Sequence, residues 1–134
     1  MAGADERASG DGSLIGIGID TVEVPRFARV AARTPGIISR IFTDDERAYC
    51  ERRRNPTERY AARFAAKEAV MKAMGVGVGA CKWREIEVAK ARSGQPSVVL
   101  TGGAAAIADR LGVEGWRLSL THTASVAEAV AVAL

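Results

Sequence analysis

The stretch Arg63 to Gly79, RFAAKEAVMKAMGVGVG, decides the reading of this chain. At about 100° per residue, Ala61, Phe64, Ala65, Glu68, Met71 and Lys72 share one stripe of a helix, with Glu68 near the centre of its expected inward face. Burying a carboxylate without a partner is costly, so Glu68 calls for Lys72 one turn on, a bound cation or a water-filled cleft. A local Glu68–Lys72 pair is the ordinary solution. The residues after the helix point elsewhere: Gly75, Gly77 and Gly79 alternate with Val76, Val78 and Ala80, ending it in a side-chain-poor loop that a ligand's phosphates could approach closely.

Working back from the helix, Asn55-Pro56-Thr57-Glu58 supplies an N-cap, a proline at the first helical position and an acid at the third. Thr43 to Glu46, TDDE, is a capping box that starts a shorter helix running through Tyr49 toward Arg53, where Arg52, Arg53 and Arg54 complement the helix dipole. Pro25 opens a helix to about Arg33, with Phe27, Val30, Ala31 and Thr34 inward and Arg26, Arg29 and Arg33 forming a basic face, followed by Arg40. Before it, LIGIGID at Leu14 to Asp20 alternates with period two and reads as a strand. Its isoleucines, Ile15, Ile17 and Ile19, are expected to pack, while Gly16 and Gly18 let another backbone or a ligand lie close to Asp20.

Beyond the glycine loop the pattern becomes mostly strand. Trp83 to Ala89 and Ser97 to Leu100 form a hairpin across the turn Arg92-Ser93-Gly94-Gln95-Pro96. Gly103 to Leu111 is a short helix closed by Gly112. Trp116 to Thr123, WRLSLTHT, alternates with Leu118, Leu120 and His122 on one face and Ser119, Thr121 and Thr123 on the other. Val126 to Leu134 also alternates and is read as its antiparallel partner, although its alanines favour helix. The fold class is therefore α+β, an antiparallel sheet packed on a long central helix.

A chain of 134 residues, 48% hydrophobic and 26% charged, makes one globular domain that buries about two-thirds of its unfolded surface. Residues 1–13, with a net charge of −2, are Gly/Ser/Ala-rich and without periodicity. They are read as a disordered extension or an expression remnant, leaving 14–134 as the domain. Cys50 and Cys81 lack companions at metal-ligand spacing, which speaks against zinc and a disulfide framework and for a reducing, cytoplasmic compartment. The start lacks a basic, then apolar signal segment, and no apolar run is long enough for a bilayer, so no membrane association is expected.

Asp20 at a strand end, Glu68 and Lys72 on a helix, and the glycine loop suggest one site. Two carboxylates from separate elements suit a hard cation such as Mg2+, whose remaining positions go to water and a substrate phosphate. Lys72 is then a point charge for that phosphate, and Arg63 or Lys67 can reach a further anionic group. His122 is more often a packed residue than a ligand or proton carrier in such a setting.

The motifs GIGIDTVEVPR at Gly16 to Arg26, FTDDE at Phe42 to Glu46, RFAAKEAVMKAMGVGVG at Arg63 to Gly79, GQP at Gly94 to Pro96 and LTHT at Leu120 to Thr123 are jointly specific. Through them the sequence resembles the holo-acyl-carrier-protein synthase family, the small trimeric type of 4′-phosphopantetheinyl transferase, over residues 14–134. The resemblance implies Mg2+-dependent transfer of the phosphopantetheine arm of coenzyme A to a serine of an acidic apo acyl carrier protein. Adenosine 3′,5′-bisphosphate is released, in support of fatty acid or polyketide biosynthesis. It implies Asp20 and Glu68 as metal ligands, Lys72 on the phosphates, Gly75 and Gly77 beside the coenzyme and Arg63 on an adenosine-side phosphate. Pro96, Ser119, Thr121, His122 and Thr123 would line the coenzyme site at the subunit interfaces of a homotrimer. Glu68, directly or through a water, is preferred to His122 as the base, and Arg26, Arg29 and Arg33 would steer the carrier. Two other readings compete. A nucleic-acid binder could use the arginine-rich helices, although the acids would repel its ligand. A Mg2+-dependent phosphohydrolase would use water where the transferase uses serine.

Overall fold

The computed structural model describes residues 13–134, so the expectation of disorder for the head falls, save for Ser13, outside the described residues. The elements run β1 (Gly16–Glu23), α1 (Val24–Arg33), α2 (Ile37–Ile41), α3 (Asp44–Glu51) and α4 (Pro56–Ala73). A 3-10 turn (Trp83–Glu85) then leads to β2 (Ile86–Lys90), β3 (Pro96–Leu100), α5 (Gly102–Leu111), β4 (Trp116–His122) and β5 (Val126–Ala133). Strands β1, β5 and β4, in that order, form an antiparallel sheet, and β2 and β3 form a separate hairpin. The tail is a strand as read, paired from Gly16↔Ala133 to Glu23↔Val126.

The long helix α4 lies across the three-stranded sheet and is covered on its other sides by α1, α3 and β2. Small residues make the contact. On the sheet, Ala127, Ala129, Ala131 and Ala133 point at the helix, and all are essentially fully buried. On β1 the contact is closer still: a Cβ placed on Gly16 would stand 1.9 Å from the Ala73 carbonyl oxygen, and one on Gly18 2.0 Å from that of Ala69.

This reverses the expected orientation of β1. Its glycine face, not its isoleucine face, meets the core, and Ile17 and Ile19 stand 61% and 59% exposed on the outer face of the sheet. Alternation marks two faces without saying which one a helix will cover; here only the glycine face lets the helix backbone approach. The reading of α4 needs a similar correction. The helix is buried nearly all round, and its open side carries Phe64, Glu68 and Lys72. A helix between two layers lacks the polar face that an amphipathic reading assumes.

Local signals are mostly realised. Thr43 and Glu46 form the capping box at α3, with the Glu46 side chain accepting from Thr43 N at 2.9 Å. Gly112, at φ 79°, closes α5. Asn55 precedes α4 in a left-handed conformation and makes no side-chain cap. Val30, expected inward on α1, is 43% exposed.

Candidate functional site

Strand β1 and helix α4 bring Asp20, Glu68 and Lys72 together. The Lys72 ammonium donates to Asp20 Oδ1 at 2.9 Å and to the Ile19 carbonyl at 3.0 Å. The lysine thus reaches across to the strand acid. The Asp20 hydrogen bond and charge hold its ammonium above the ordinary lysine range. Burial, and then the Asp20 carboxyl within hydrogen-bond reach, push the Glu68 carboxyl up to about 7, against a downward pull from Lys72. Two ionised carboxylates cannot hydrogen-bond to one another, and the buried Asp20 Oδ2 has no donor among the described residues.

That orphaned oxygen, with the Glu68 carboxyl beside it, fits a hard divalent cation, whose other positions would go to water and phosphate. No group of three His, Cys, Asp or Glu side chains able to hold a metal occurs among the described residues. The carboxylates open into a cleft of about 650 Å3, with Val22, Phe27, Ile41 and Phe64 in its wall and Arg26 on its lining.

A second cluster is cationic and lies toward the other end of α4. The guanidinium of Arg63 sits 4.0 Å from the Tyr49 ring centroid, that of Arg53 4.4 Å, and the Lys90 ammonium 5.2 Å. These are cation–π distances. Arg63 is 6% exposed, and the Nε atoms of both Arg59 and Arg63 are buried without a partner among the described residues. Burial pushes the Tyr49 phenol up, but its hydrogen bond to Arg53 and the charges of Arg63, Lys90 and Arg53 outweigh that and leave it below the ordinary range. Two adjoining pockets of about 270 and 180 Å3 share Tyr49, Arg63 and Lys90, and the smaller also reaches Arg59, Pro96 and His122. The unpartnered Nε–H groups of Arg59 and Arg63 at this pocket are donors that an anion could satisfy.

His122 belongs to this second cluster, where its Nδ1 lies 3.1 Å from Glu58 Oε1. Glu58 precedes Glu68 by ten residues, about 15 Å along the helix axis, whereas Arg63 precedes it by five, about 7.5 Å and about 140° round the helix. The structure therefore separates His122 from the carboxylate pair. Ser119 and Thr121 point to the outer face of the sheet, away from both clusters, and Thr123 is exposed in the turn after β4. Gly75 and Gly77 lie in an exposed loop beyond the C-terminal end of α4. Arg29 and Arg33 are exposed on α1 with Arg26. Lys67, read as able to reach an anion, is fully buried against Glu46, because the inner side of α4 faces α3 and β2.

Tyr49, Glu58, Arg59 and Lys90 were not singled out from sequence. Arg59 and Arg63 share a helix face at i, i+4, which is a legible cue. The Glu58–His122 contact, 64 residues apart, has none.

The sequence profile of the 4′-phosphopantetheinyl transferase superfamily matches residues 16–131. A holo-[acyl-carrier-protein] synthase from Frankia casuarinae is 48% identical over 121 residues, covering 90% of this chain and 98% of that protein. Among solved structures, holo-[acyl-carrier-protein] synthase from Neisseria meningitidis superposes with a TM-score of 0.83 at 29% identity, covering 91% of this chain and 99% of that one. The Helicobacter pylori synthase, solved in complex with coenzyme A, gives 0.77 at 28%, covering 88% and 99%.

Proposed function

The chain belongs to the 4′-phosphopantetheinyl transferase superfamily, and on that premise we propose how its residues divide the work. The reaction is transfer of the 4′-phosphopantetheine arm of coenzyme A to a serine of an apo acyl carrier protein, releasing adenosine 3′,5′-bisphosphate. The serine oxygen forms a bond to the β-phosphorus as the bond from that phosphorus to the bridging oxygen breaks. The observation that carries our assignment is the paired carboxylates, Asp20 and Glu68, with Lys72 beside them.

Asp20 and Glu68 would hold Mg2+, which when bound neutralises charge on the diphosphate and favours the charge that builds during transfer. Glu68, itself or through a water it orients, takes the serine proton. Lys72 places a positive charge beside the transferring phosphoryl group. The backbone of the loop at Gly75 and Gly77 lets the coenzyme lie close. Arg63, with Lys90, Arg59 and His122, binds the 3′-phosphate, and Pro96 lines that pocket.

The two clusters of one chain lie on different sides of α4, with Arg63 about 140° round from Glu68, which does not suit one coenzyme whose 3′-phosphate and diphosphate are separated only by a ribose. A second copy of the chain can bring its cationic cluster to the first copy's carboxylates. The exposed outer face of the sheet, where Ile17 lies opposite Val132 and Ile19 opposite Val130, offers the apolar surface for that contact. We therefore assign a homotrimer with sites at its interfaces, where Ser119, Thr121 and Thr123 face the neighbouring subunit's coenzyme. Arg26, on the cleft lining, and Arg29 and Arg33 steer an acidic carrier to it. No helix among the described residues is long and apolar enough to cross a membrane, and we assign the enzyme to the cytoplasm with its carrier.

The test is purified Asp20→Ala and Glu68→Ala, mixed with coenzyme A, Mg2+ and apo carrier and read by mass spectrometry of the carrier. Each variant is expected to lose at least about 100-fold in rate with an unchanged circular dichroism spectrum. A wild-type rate in either removes the assignment, and coenzyme cleavage without carrier would indicate a hydrolase.

A further inference from the structure

The most deeply buried charges in the fold belong to neither cluster. Lys67 Nζ and Glu46 Oε1 are 2.8 Å apart, and both side chains are fully buried. The ammonium also donates to the carbonyls of Trp83, at 3.1 Å, and Ile86. Glu46 accepts from Thr43 N through Oε1 and from Val88 N, at 2.7 Å, through Oε2. One ion pair thus ties α3, α4 and β2, and Thr43 Oγ1 adds a second tie to β2 by donating to Glu87 at 2.7 Å.

Stability is a weak reason for such a pair, because well-packed apolar side chains often serve as well in a dry interior. Its register suggests another. Tyr49 lies three residues beyond Glu46 on α3, Arg63 four before Lys67 on α4, and Lys90 two beyond Val88 on β2. Each offset is about one repeat of its own element, so each cation-cluster residue shares a face with the clamp residue beside it. The clamp and the Tyr49, Arg63 and Lys90 cluster are adjacent layers built on the same three elements.

We infer that the Glu46–Lys67 pair is a positioning device that sets the spacing of Tyr49, Arg63 and Lys90, and through it the preference for a 3′-phosphorylated coenzyme. The inference rests on the reading of that cluster as the 3′-phosphate pocket. An anion gripped from three separate elements loses binding when any one drifts, since charged hydrogen bonds weaken steeply with distance and angle. A coenzyme lacking the 3′-phosphate is insensitive to the drift.

The experiment compares kcat/KM for coenzyme A and for 3′-dephospho-coenzyme A at saturating apo carrier. Wild type is measured with Arg63→Ala, Glu46→Gln, the double variant Glu46→Gln with Lys67→Met, and Ile107→Ala. The last removes core volume on α5 and controls for lost stability. Wild type is expected to prefer coenzyme A and Arg63→Ala to lose that preference. Both clamp variants should lose at least about tenfold of it through KM for coenzyme A, with kcat and the dephospho substrate little changed, while Ile107→Ala keeps it. The double variant leaves no unpaired charge and decides the matter if Glu46→Gln does not fold. Clamp variants that keep the full preference, or lose kcat equally on both substrates, overturn the inference while leaving the pocket reading intact. A wild type without the preference, or an Arg63→Ala that keeps it in full, would sink the pocket reading itself, and the clamp inference with it.

Discussion

Replacing Gly18 by alanine tests whether the close seat of β1 on α4 is what holds the carboxylate pair. The new methyl would stand 2.0 Å from the Ala69 carbonyl oxygen and 2.8 Å from Ala73 N, both backbone atoms of a helix buried nearly all round. Carbon and oxygen settle near about 3.5 Å, so strand and helix must part by about 1.5 Å. Overpacking of this kind costs about 3 kcal/mol, and alanine's gain over glycine in a strand, about 0.5–1 kcal/mol, offsets only part of it. With a urea dependence of about 1–3 kcal/mol per M, the unfolding midpoint should fall by about 1–2 M. Asp20 is the next residue on the same face of β1, so the shift carries its carboxylate away from Glu68 and Lys72. A displacement of that size costs about 100-fold in rate. Urea denaturation followed by fluorescence, together with a carrier-modification assay, reads both effects. A variant with the wild-type midpoint and the wild-type rate would refute the packing argument, and lost stability with full activity would refute the link to Asp20.

Three further outcomes are expected. Arg26→Glu should raise KM for the carrier about tenfold while leaving KM for coenzyme A within about twofold, with the effect shrinking at high salt; equal effects on both would count against a docking role. Ile19→Glu puts a charge on the exposed sheet face and should reduce the mass measured by light scattering to that of the monomer, abolishing transfer with it; an unaltered oligomer would mean that copies meet elsewhere. Cys50 is fully buried, and burial pushes its thiol up to about 11, so at pH 8 only the part-exposed Cys81 should react promptly with a thiol reagent. Two equally fast thiols would contradict the packing between α3 and α4.

Individual residues show why some of this was legible in advance. Thr43 and Glu46 are three apart, and their capping box needs nothing beyond α3 itself. The same Glu46 was legible only as a cap, because its bonds to Lys67 and Val88 depend on where α4 and β2 come to rest. The strand pattern of β4 foretold that Leu118 and His122 share a face, and they do. It could not foretell that Glu58 would stand 3.1 Å from His122. Arg63 was expected at an anion site, first with Lys67 as an alternative and then by resemblance, whereas the Tyr49 ring beneath it and Lys90 beside it come from other elements.

The amino-acid order alone determined where most helices and strands lie, though not α2 or the run of β1 past Asp20 to Glu23, and, through its motifs, which reaction the family membership bears out. Those properties are carried by residues within a few positions of each other, so local sterics and hydrogen bonding suffice. The tertiary structure alone decided that the glycines of β1 face inward, that Glu68 lies on the open side of α4, and that Lys72 answers Asp20, 52 residues away. Two layers closing over one helix made those choices, because the narrow gap admits only backbone and small side chains, and no short-range pattern records which face will meet that gap.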